Sequence, residues 1–382
     1  MRTKVMPVIL AIIMIFAFSL NTFALEIKKT EMKLDVKSAV LIDANTGTVL
    51  YSQNMSEALP PASVTKIMTL LLVFEALDTG NLKYDEHLVV SEYASSMGGS
   101  QVFLEPGESI SVNELLKCVV VSSANDAAVT LAERVSGSEE AFVEKMNKRA
   151  MELGMKNTHF ENVTGLDDDV ENHLTSAYDI ALMSRELLKH EKVMEYTTIW
   201  MDTIRNGEFG LSNTNRLVKY YKGITGLKTG YTSGAGFCIS ASAKRDNFHL
   251  IAVIMGAKTS SERNAIAAKL LDYGFANYYT YSENKNECGE VQVLRGNRSH
   301  VKVGYEGFDM LENIENKDRI EKEYILPDNV AAPVKEGDAI GKVIYKIGDK
   351  KLVENKIIAL ESVEEMTFWN FFVNMFENFI LN

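Results

Sequence analysis

The sequence has 382 residues, of which 46% are hydrophobic and 24% are charged, a composition typical of a globular protein with enough apolar mass for more than one domain. Its formal net charge is −12 and it has no cluster of lysine or arginine, which argues against a nucleic-acid-binding protein. Three separated cysteines without a C-x-x-C pair predict no disulfide framework, and six histidines without ligand spacing predict no metal site.

The N-terminus has the features of an export signal. Arg2 and Lys4 precede an apolar run over residues 8–20, and residues 22–24 place small side chains where a signal peptidase cleaves. The alternative is an uncleaved membrane anchor, but the run is shorter than the roughly 20 residues that span a bilayer. We therefore predict a cleaved signal peptide over residues 1–24 and a mature protein outside the cytoplasm.

The next segments alternate between strands and helices. Apolar runs at 39–42 and 48–51, separated by turn residues, predict a β-hairpin. Helical periodicity then dominates four segments: 112–119, 127–134, 141–153 and 178–188. The later segments comprise strands at 237–241 and 249–255 and a helix at 261–275. Strands at both ends with helices between them predict one α+β domain over residues 25–283, whose sheet is closed by distant segments.

The character of the sequence changes after that domain. Residues 284–361 hold short strand-like segments punctuated by glycine and proline, among them 291–294, 301–303 and 343–345. This pattern predicts a separate small β-rich domain.

The final residues, 362–382, include an amphipathic segment. Phe368, Phe372, Met375 and Phe379 share one helical face. The segment is too short and too polar to span a bilayer, so we expect an interfacial helix that associates with the membrane surface. The alternative is a helix that docks on its own protein, since Lys356 is the last positively charged residue and interfacial helices usually carry lysine or arginine.

Ser63 and Lys66 form an S-x-x-K motif at a predicted helix start. Pro60 and Pro61 precede Ser63, and an apolar helix-compatible run follows Lys66. The spacing puts both side chains on one face of the helix, where a desolvated lysine with a lowered pKa would take the serine proton. The free N–H groups of the helix N-terminus would stabilise an oxyanion at Ser63. The same motif recurs at Ser282 and Ser299, where we expect surface serines.

Two further motifs follow in the chain. Ser123-Ala124-Asn125 lies between an apolar segment and a helical one, so its hydroxyl and carboxamide suit proton relay and amide binding. A helix N-cap is the alternative, because S-x-N occurs at four other serines. Lys228-Thr229-Gly230 is the only K-T-G sequence, and it enters a predicted edge strand. Its ammonium and hydroxyl suit a substrate carboxylate, and Gly230 would let the substrate backbone approach the strand. A phosphate-binding loop would need glycine at position 227, where leucine stands.

Together these motifs resemble the serine D-alanyl-D-alanine carboxypeptidases, the low-molecular-mass penicillin-binding proteins of peptidase family S11, which share their fold with serine β-lactamases. Five further segments carry the resemblance: Pro61-Ala62-Ser63, Asn125-Asp126-Ala127-Ala128, Glu152-Leu153-Gly154-Met155 with Asn157-Thr158-His159-Phe160, Thr175-Ser176-Ala177-Tyr178-Asp179, and residues 226–232. It covers nearly the whole mature chain, including the small β domain and the terminal amphipathic helix. Ala124 departs from the family, where glycine is common, and we expect no loss of activity from it.

The resemblance implies an activity and a role for each site residue. The expected reaction removes the terminal D-alanine from peptidoglycan stem peptides without a cofactor, and β-lactams are expected to inhibit it covalently. The implied catalytic residues are Ser63 as acylated nucleophile, Lys66 as its base and Ser123 as proton shuttle. The implied substrate-binding residues are Asn125, which binds the amide, and Lys228 and Thr229, which bind the terminal carboxylate. Gly230 and Tyr231, which follow Thr229 in the chain, are also implied in substrate binding. The backbone N–H groups of Ser63 and Tyr231 would form the oxyanion hole.

Two rival functions fit the sequence less well. A class A β-lactamase carries an E-x-x-L-N segment between the second and third motifs, and this sequence has none there. A non-catalytic envelope scaffold with the same fold would be expected to lose at least one motif residue, and all are present. The sequence therefore favours the carboxypeptidase.

Overall fold

The computed structural model describes residues 27, 32–167 and 170–368. The predicted signal peptide, residues 1–24, and residues 369–382 of the predicted terminal helix lie outside the described residues. The chain divides into two compact units, one reaching to Tyr281 and including Met310–Ile314, the other formed by Ser282–Asp309 and the residues from Glu315 onward. The predicted limits 25–283 and 284–361 remain predictions.

The first unit, here called the catalytic unit, is built on a five-stranded sheet in the order β2-β1-β9-β8-β7. Its strands, with two short pairs beside the sheet, are β1 Ser38–Asp43, β2 Val49–Gln53, β3 His87–Val89, β4 Ser109–Ser111, β5 Met201–Ile204, β6 Phe209–Ser212, β7 Ile224–Thr232, β8 Gly236–Arg245 and β9 Phe248–Ala257. The sheet is antiparallel throughout, and β1 pairs with both β2 and β9. The hairpin prediction and the closure of the sheet by distant segments are confirmed.

The helices of this unit are α1 Lys66–Asp78, α2 Glu92–Ser95, α3 Val112–Lys117, α4 Asn125–Ser136, α5 Glu139–Glu152, α6 Ala177–Leu187, α7 Val193–Thr197, α8 Leu217–Tyr220 and α9 Ser260–Asn277. α6 and α9 pack against β9, and α1 packs against α4, α5 and α6. α1 is apolar on every side, so it is buried almost around its whole circumference. Lys66, the first residue of this helix, is fully buried.

The predicted helix over 112–119 differs from the structure in one respect. α3 ends at Lys117, and a π-helical turn follows over Cys118–Ser122 before Ser123 adopts the left-handed conformation with φ +63°. Such widened turns are rare and are frequently found at functional sites. This turn ends at the second predicted motif.

The second unit is all-β, as predicted. The strands that follow α9 in the chain are β10 Tyr278–Glu283, β11 Asn286–Leu294, β12 His300–Tyr305, β13 Phe308–Asn313, β14 Glu321–Ile325, β15 Asn329–Ala331, β16 Ala339–Ile347 and β17 Lys350–Ala359. Six of them form a sheet in the order β14-β16-β17-β12-β11-β15. Val301, Val303, Tyr345 and Ile357 are fully buried in its core. No helix among the described residues is long and apolar enough to cross a membrane.

Candidate active site

Ser63 lies on a tight turn that leads into α1. The turn is a 3₁₀ helix over Ala62–Thr65, and Ala62 has a positive φ of 48°, a strained conformation for a residue other than glycine. A Cβ added to Gly165 would lie 1.9 Å from the carbonyl oxygen of Ala62. Only glycine fits there, so the loop at Gly165 holds the strained turn from one side. Ser63 itself stays half-buried and faces the cleft.

Lys66 is completely buried beside this serine. Its Nζ lies 3.0 Å from Ser63 Oγ and donates to the carbonyl oxygen of Thr164 at 2.8 Å. Burial holds the pKa of Lys66 well below its usual value, the Lys228 charge lowers it further, and Asp126 opposes the shift. A neutral amine at this distance is positioned to accept the proton of the serine hydroxyl.

Ser123 and Lys228 form a second hydroxyl–lysine pair. Lys228 Nζ donates to Ser123 Oγ at 2.8 Å and to the carbonyl oxygen of Thr229 at 2.9 Å. Burial lowers the pKa of Lys228 to about 7, with a smaller contribution from the charge of Arg263. Since Lys228 exchanges its proton near neutral pH, Ser123 can pass a proton along this pair in either direction.

Asn125 is the first residue of α4, and the alternative of an N-cap for the Ser123-Ala124-Asn125 motif is wrong. The N-cap is Ala124, which offers no side-chain hydrogen bond. Asn125 Nδ2 donates to the carbonyl oxygen of Gly98 at 2.7 Å, and its N–H donates to that of Ser100 at 2.7 Å. Its Oδ1 is buried without a partner among the described residues, which leaves an acceptor free for a ligand.

The Lys228-Thr229-Gly230 sequence lies on β7, the edge strand of the sheet, as predicted. Thr229 Oγ1 donates to Thr214 Oγ1 at 2.7 Å. A Cβ added to Gly230 would lie 2.8 Å from the carbonyl oxygen of Pro61 and 2.9 Å from the nitrogen of Ser63. Gly230 therefore allows β7 to approach the serine turn of this same chain, in addition to the role toward substrate that the sequence suggested.

Tyr231 follows on the same strand with an exposed side chain. Its ring stacks on Phe237 at 4.3 Å between centroids, in register with the pairing of β7 and β8. Because β7 packs against the turn at Ser63, the main chains of Ser63 and Tyr231 lie close to each other. The structure thus brings all eight predicted site residues to one place.

His173 was missed by the sequence analysis. It is buried, its Nδ1 accepts from the N–H of Glu161 at 3.0 Å, and its Nε2 lies 2.8 Å from Thr65 Oγ1. Because Nδ1 is an acceptor, Nε2 carries the proton and donates to Thr65. Burial lowers the pKa of His173 to about 4, which keeps the ring neutral at physiological pH. His173 therefore anchors Thr65, which lies between Ser63 and Lys66 in the chain.

Asp126 was missed as well. Its buried carboxylate accepts from the N–H groups of Val102 and Leu104 at 3.1 and 3.0 Å, and from that of Ala127 at 2.9 Å. It thereby fixes the loop that supplies Gly98 and Ser100 to Asn125. Asp126 stands in the Asn125-Asp126-Ala127-Ala128 segment that carries the family resemblance, but its place in the first turn of a helix did not indicate this role.

Five of the predicted site residues, Ser63, Ser123, Thr229, Gly230 and Tyr231, line a cleft of about 680 Å³. Its lining residues are Ser63, Ser100, Ser123, Trp200, Ser212, Asn213, Thr214, Arg216, Lys219, Tyr220, Thr229, Gly230, Tyr231, Phe237, Ser260 and Arg263. None of these is an aspartate or glutamate, so the cleft of an acidic chain is itself positive. Among the described residues, no three His, Cys, Asp or Glu side chains are grouped to hold a metal ion.

Comparisons with known proteins agree with this geometry. The family model of D-alanyl-D-alanine carboxypeptidases matches residues 25–259, and that of the penicillin-binding protein 5 C-terminal domain matches residues 275–365. The chain is 44% identical to D-alanyl-D-alanine carboxypeptidase DacF of Bacillus subtilis (strain 168) over 378 residues, 96% of each chain. It is 33% identical to D-alanyl-D-alanine carboxypeptidase DacC of Escherichia coli (strain K12) over 377 residues, 95% of this chain and 94% of the relative.

Solved structures show the same likeness. Penicillin binding protein 5 from Haemophilus influenzae superposes with a TM-score of 0.73 at 32% identity, over 88% of this chain and 100% of that one. Penicillin-binding protein D2 from Listeria monocytogenes in its ampicillin-bound form superposes with a TM-score of 0.59 at 33% identity, over 64% of this chain and 100% of that one.

Proposed function

The chain belongs to the D-alanyl-D-alanine carboxypeptidase family of penicillin-binding proteins, and we propose that Ser63 is the nucleophile with which it removes the terminal D-alanine of peptidoglycan stem peptides. It is a serine-type peptidase that binds penicillin. The observation that carries the assignment of Ser63 is the 3.0 Å separation between its Oγ and the amine of the fully buried Lys66.

Acylation begins when the neutral Lys66 amine accepts the proton of Ser63 as Oγ attacks the penultimate D-alanine carbonyl. The carbonyl oxygen gains the negative charge, and the N–H groups of Ser63 and Tyr231 stabilise it. The amide C–N bond then breaks. The leaving amine takes a proton from Ser123, whose hydroxyl is replenished from Lys228 at 2.8 Å. Lys66 then passes on the proton that it took from Ser63, through Ser123 to Lys228, so both lysines regain their starting protonation states before deacylation. Terminal D-alanine departs and an ester on Ser63 remains.

Deacylation repeats these steps with water. A water molecule loses a proton to Lys66 as its oxygen attacks the ester carbonyl. The Ser63 oxygen then leaves and takes that proton from Lys66, which lies 3.0 Å away. The products are the shortened peptide and the free enzyme. No step requires a cofactor.

Substrate binding uses the positive end of the cleft. Lys228 and Thr229 bind the terminal carboxylate, and the buried Arg263 adds charge at the same end. Asn125 contributes its unpartnered Oδ1 to the N–H of the peptide and orients the scissile bond. A β-lactam carries a carboxylate and a strained amide in similar positions, so it acylates Ser63 in the same way.

The protein acts outside the cytoplasm, on the peptidoglycan. Support comes from the sequence of residues 1–24, which reads as a signal peptide, and from the carboxypeptidase relatives. We place it at the outer face of the cell membrane through its amphipathic C-terminal segment. Deleting residues 366–382 should then release the protein from sedimented membranes, and unchanged sedimentation would contradict this attachment.

Release of D-alanine from a pentapeptide ending in D-alanyl-D-alanine tests the activity. We expect release by the full mature chain and none by Ser63→Ala. Ser299→Ala is the matched control, because Ser299 begins another S-x-x-K motif outside the cleft, and it should match the unaltered protein. Well-folded protein that releases no D-alanine would favour the non-catalytic scaffold.

A further inference from the structure

The side chain of Arg216 has no hydrogen-bond partner among the described residues, although it lies in the wall of the cleft. The other arginines in residues 32–281 all donate to protein acceptors: Arg134, Arg149, Arg185, Arg205, Arg245 and Arg263. Its neighbour Lys219 is also exposed, with Nζ 5.5 Å from the centroid of Trp200. Two cations in one wall are thus left without a carboxylate from the described part of the chain.

These cations lie near others of the same sign. The charge of Arg216 contributes to lowering the pKa of Arg263, to about 10, although burial of Arg263 is the larger cause. Arg263 in turn lowers the pKa of Lys228. Clustered positive charges repel one another, and no acidic residue of the cleft lining offsets them. An anionic ligand would relieve this repulsion.

The position of Arg216 shows which part of a substrate it faces. Residues 212, 214 and 216 alternate as exposed side chains between buried ones, so they form one wall. Thr214 in this wall accepts a hydrogen bond from Thr229, the residue assigned to the terminal carboxylate. Arg216 is the next exposed residue beyond it. The wall therefore runs along the residue that leaves after cleavage.

We propose that Arg216, with Lys219 beside it, is a binding site for a second carboxylate on the leaving residue. The substrate class is a peptide whose last residue is a D-amino acid with an acidic side chain, such as D-glutamate. This inference rests on the proposed function, since it uses Lys228 and Thr229 as the site of the first carboxylate. Arg216 presents a planar fork of donors that matches a carboxylate.

The test compares pentapeptides that end in D-alanyl-D-glutamate and D-alanyl-D-glutamine, which differ in charge at nearly equal size. With the full mature chain, kcat/KM should favour the glutamate peptide about tenfold, equal to about 1.4 kcal/mol. Arg216→Gln should reduce the ratio to within about twofold, mainly through KM of the glutamate peptide, and Arg216→Lys should retain part of the preference. Lys222→Gln removes a charge nearby but outside the cleft lining, so its ratio should equal that of the unaltered protein.

The outcomes separate this inference from the proposed function. Release from D-alanyl-D-alanine without a preference for D-glutamate, or a tenfold preference that persists in Arg216→Gln, overturns the second carboxylate site alone. Absence of release from every peptide overturns the proposed function and the inference with it.

Discussion

Replacing Lys228 by methionine should stabilise the protein at neutral pH while abolishing its activity. The pKa of Lys228 falls from 10.5 to about 7 because the side chain is buried. At pH 7 this burial costs the folded state about 4 kcal/mol relative to an unfolded chain whose lysine is protonated. Methionine avoids that cost but loses the hydrogen bonds to Ser123 and Thr229, worth about 1 kcal/mol each. The net expected gain for Lys228→Met is about 2 kcal/mol.

The sign of the pH dependence makes this prediction specific. Between pH 7 and 10.5 the unfolded chain binds one proton more than the folded one at Lys228, so the stability of the unaltered protein rises with pH there. Relative to Lys228→Met it should gain up to about 1.4 kcal/mol per pH unit, and the order of stabilities should reverse near pH ~9.

Urea unfolding of the full mature chain at several pH values, followed by tryptophan fluorescence, measures this difference; Trp200 lies in the catalytic unit. Lys222→Met, at an exposed position, is the control and should show no such trend. Equal pH dependence in Lys228→Met and the unaltered protein would refute the reasoning, because Lys228 would then keep an ordinary pKa in the fold.

Three further substitutions test the supports of the site. Gly230→Ala should slow acylation by labelled penicillin at least tenfold, because the new Cβ would lie 2.8 Å from the Pro61 carbonyl oxygen. Gly210→Ala, which has open space around it, should leave the acylation rate unchanged. Equal acylation rates in the two variants would contradict this contact. His173→Phe should slow acylation about tenfold, because the hydrogen bond to Thr65 is lost. His173→Gln keeps an N–H donor and should restore most of the rate. If glutamine does not restore the rate, the assignment of His173 as the donor to Thr65 is contradicted. Asp126→Asn should lower the free energy of unfolding by about 3 kcal/mol, because the carboxylate accepts hydrogen bonds from the backbone N–H groups of Val102 and Leu104. Urea unfolding measures this change, and a loss below about 0.5 kcal/mol would contradict the prediction.

Local patterns in the sequence predicted the parts of the site that short segments determine. The apolar run after Lys66 required a buried helix, and that burial produces the lowered pKa of Lys66. The prediction of an edge strand at Lys228 followed from its glycine-rich yet strand-like surroundings, and β7 is the edge of the sheet. The three motifs meet because the distant strands close one sheet.

The contacts between distant segments could not be predicted in this way. The carbonyl oxygen of Thr164 is 98 positions from Lys66, and His173 is 108 positions from Thr65. Neither has a local pattern, since a carbonyl belongs to every residue and a single histidine has no spacing. Ser123 adopts a left-handed conformation after a π-helical turn, and the helical periodicity of residues 112–119 contains no sign of it. The roles of such residues depend on the assembled fold.

Mapping the site of covalent attachment by penicillin tests the central claim most directly. The protein is incubated with labelled penicillin, digested, and the labelled peptide is sequenced by mass spectrometry. The neutral Lys66 beside Ser63 predicts a single adduct on Ser63, and no label on Ser63→Ala. An adduct on another residue, or labelling that persists in Ser63→Ala, would contradict the assignment of Ser63 as the nucleophile.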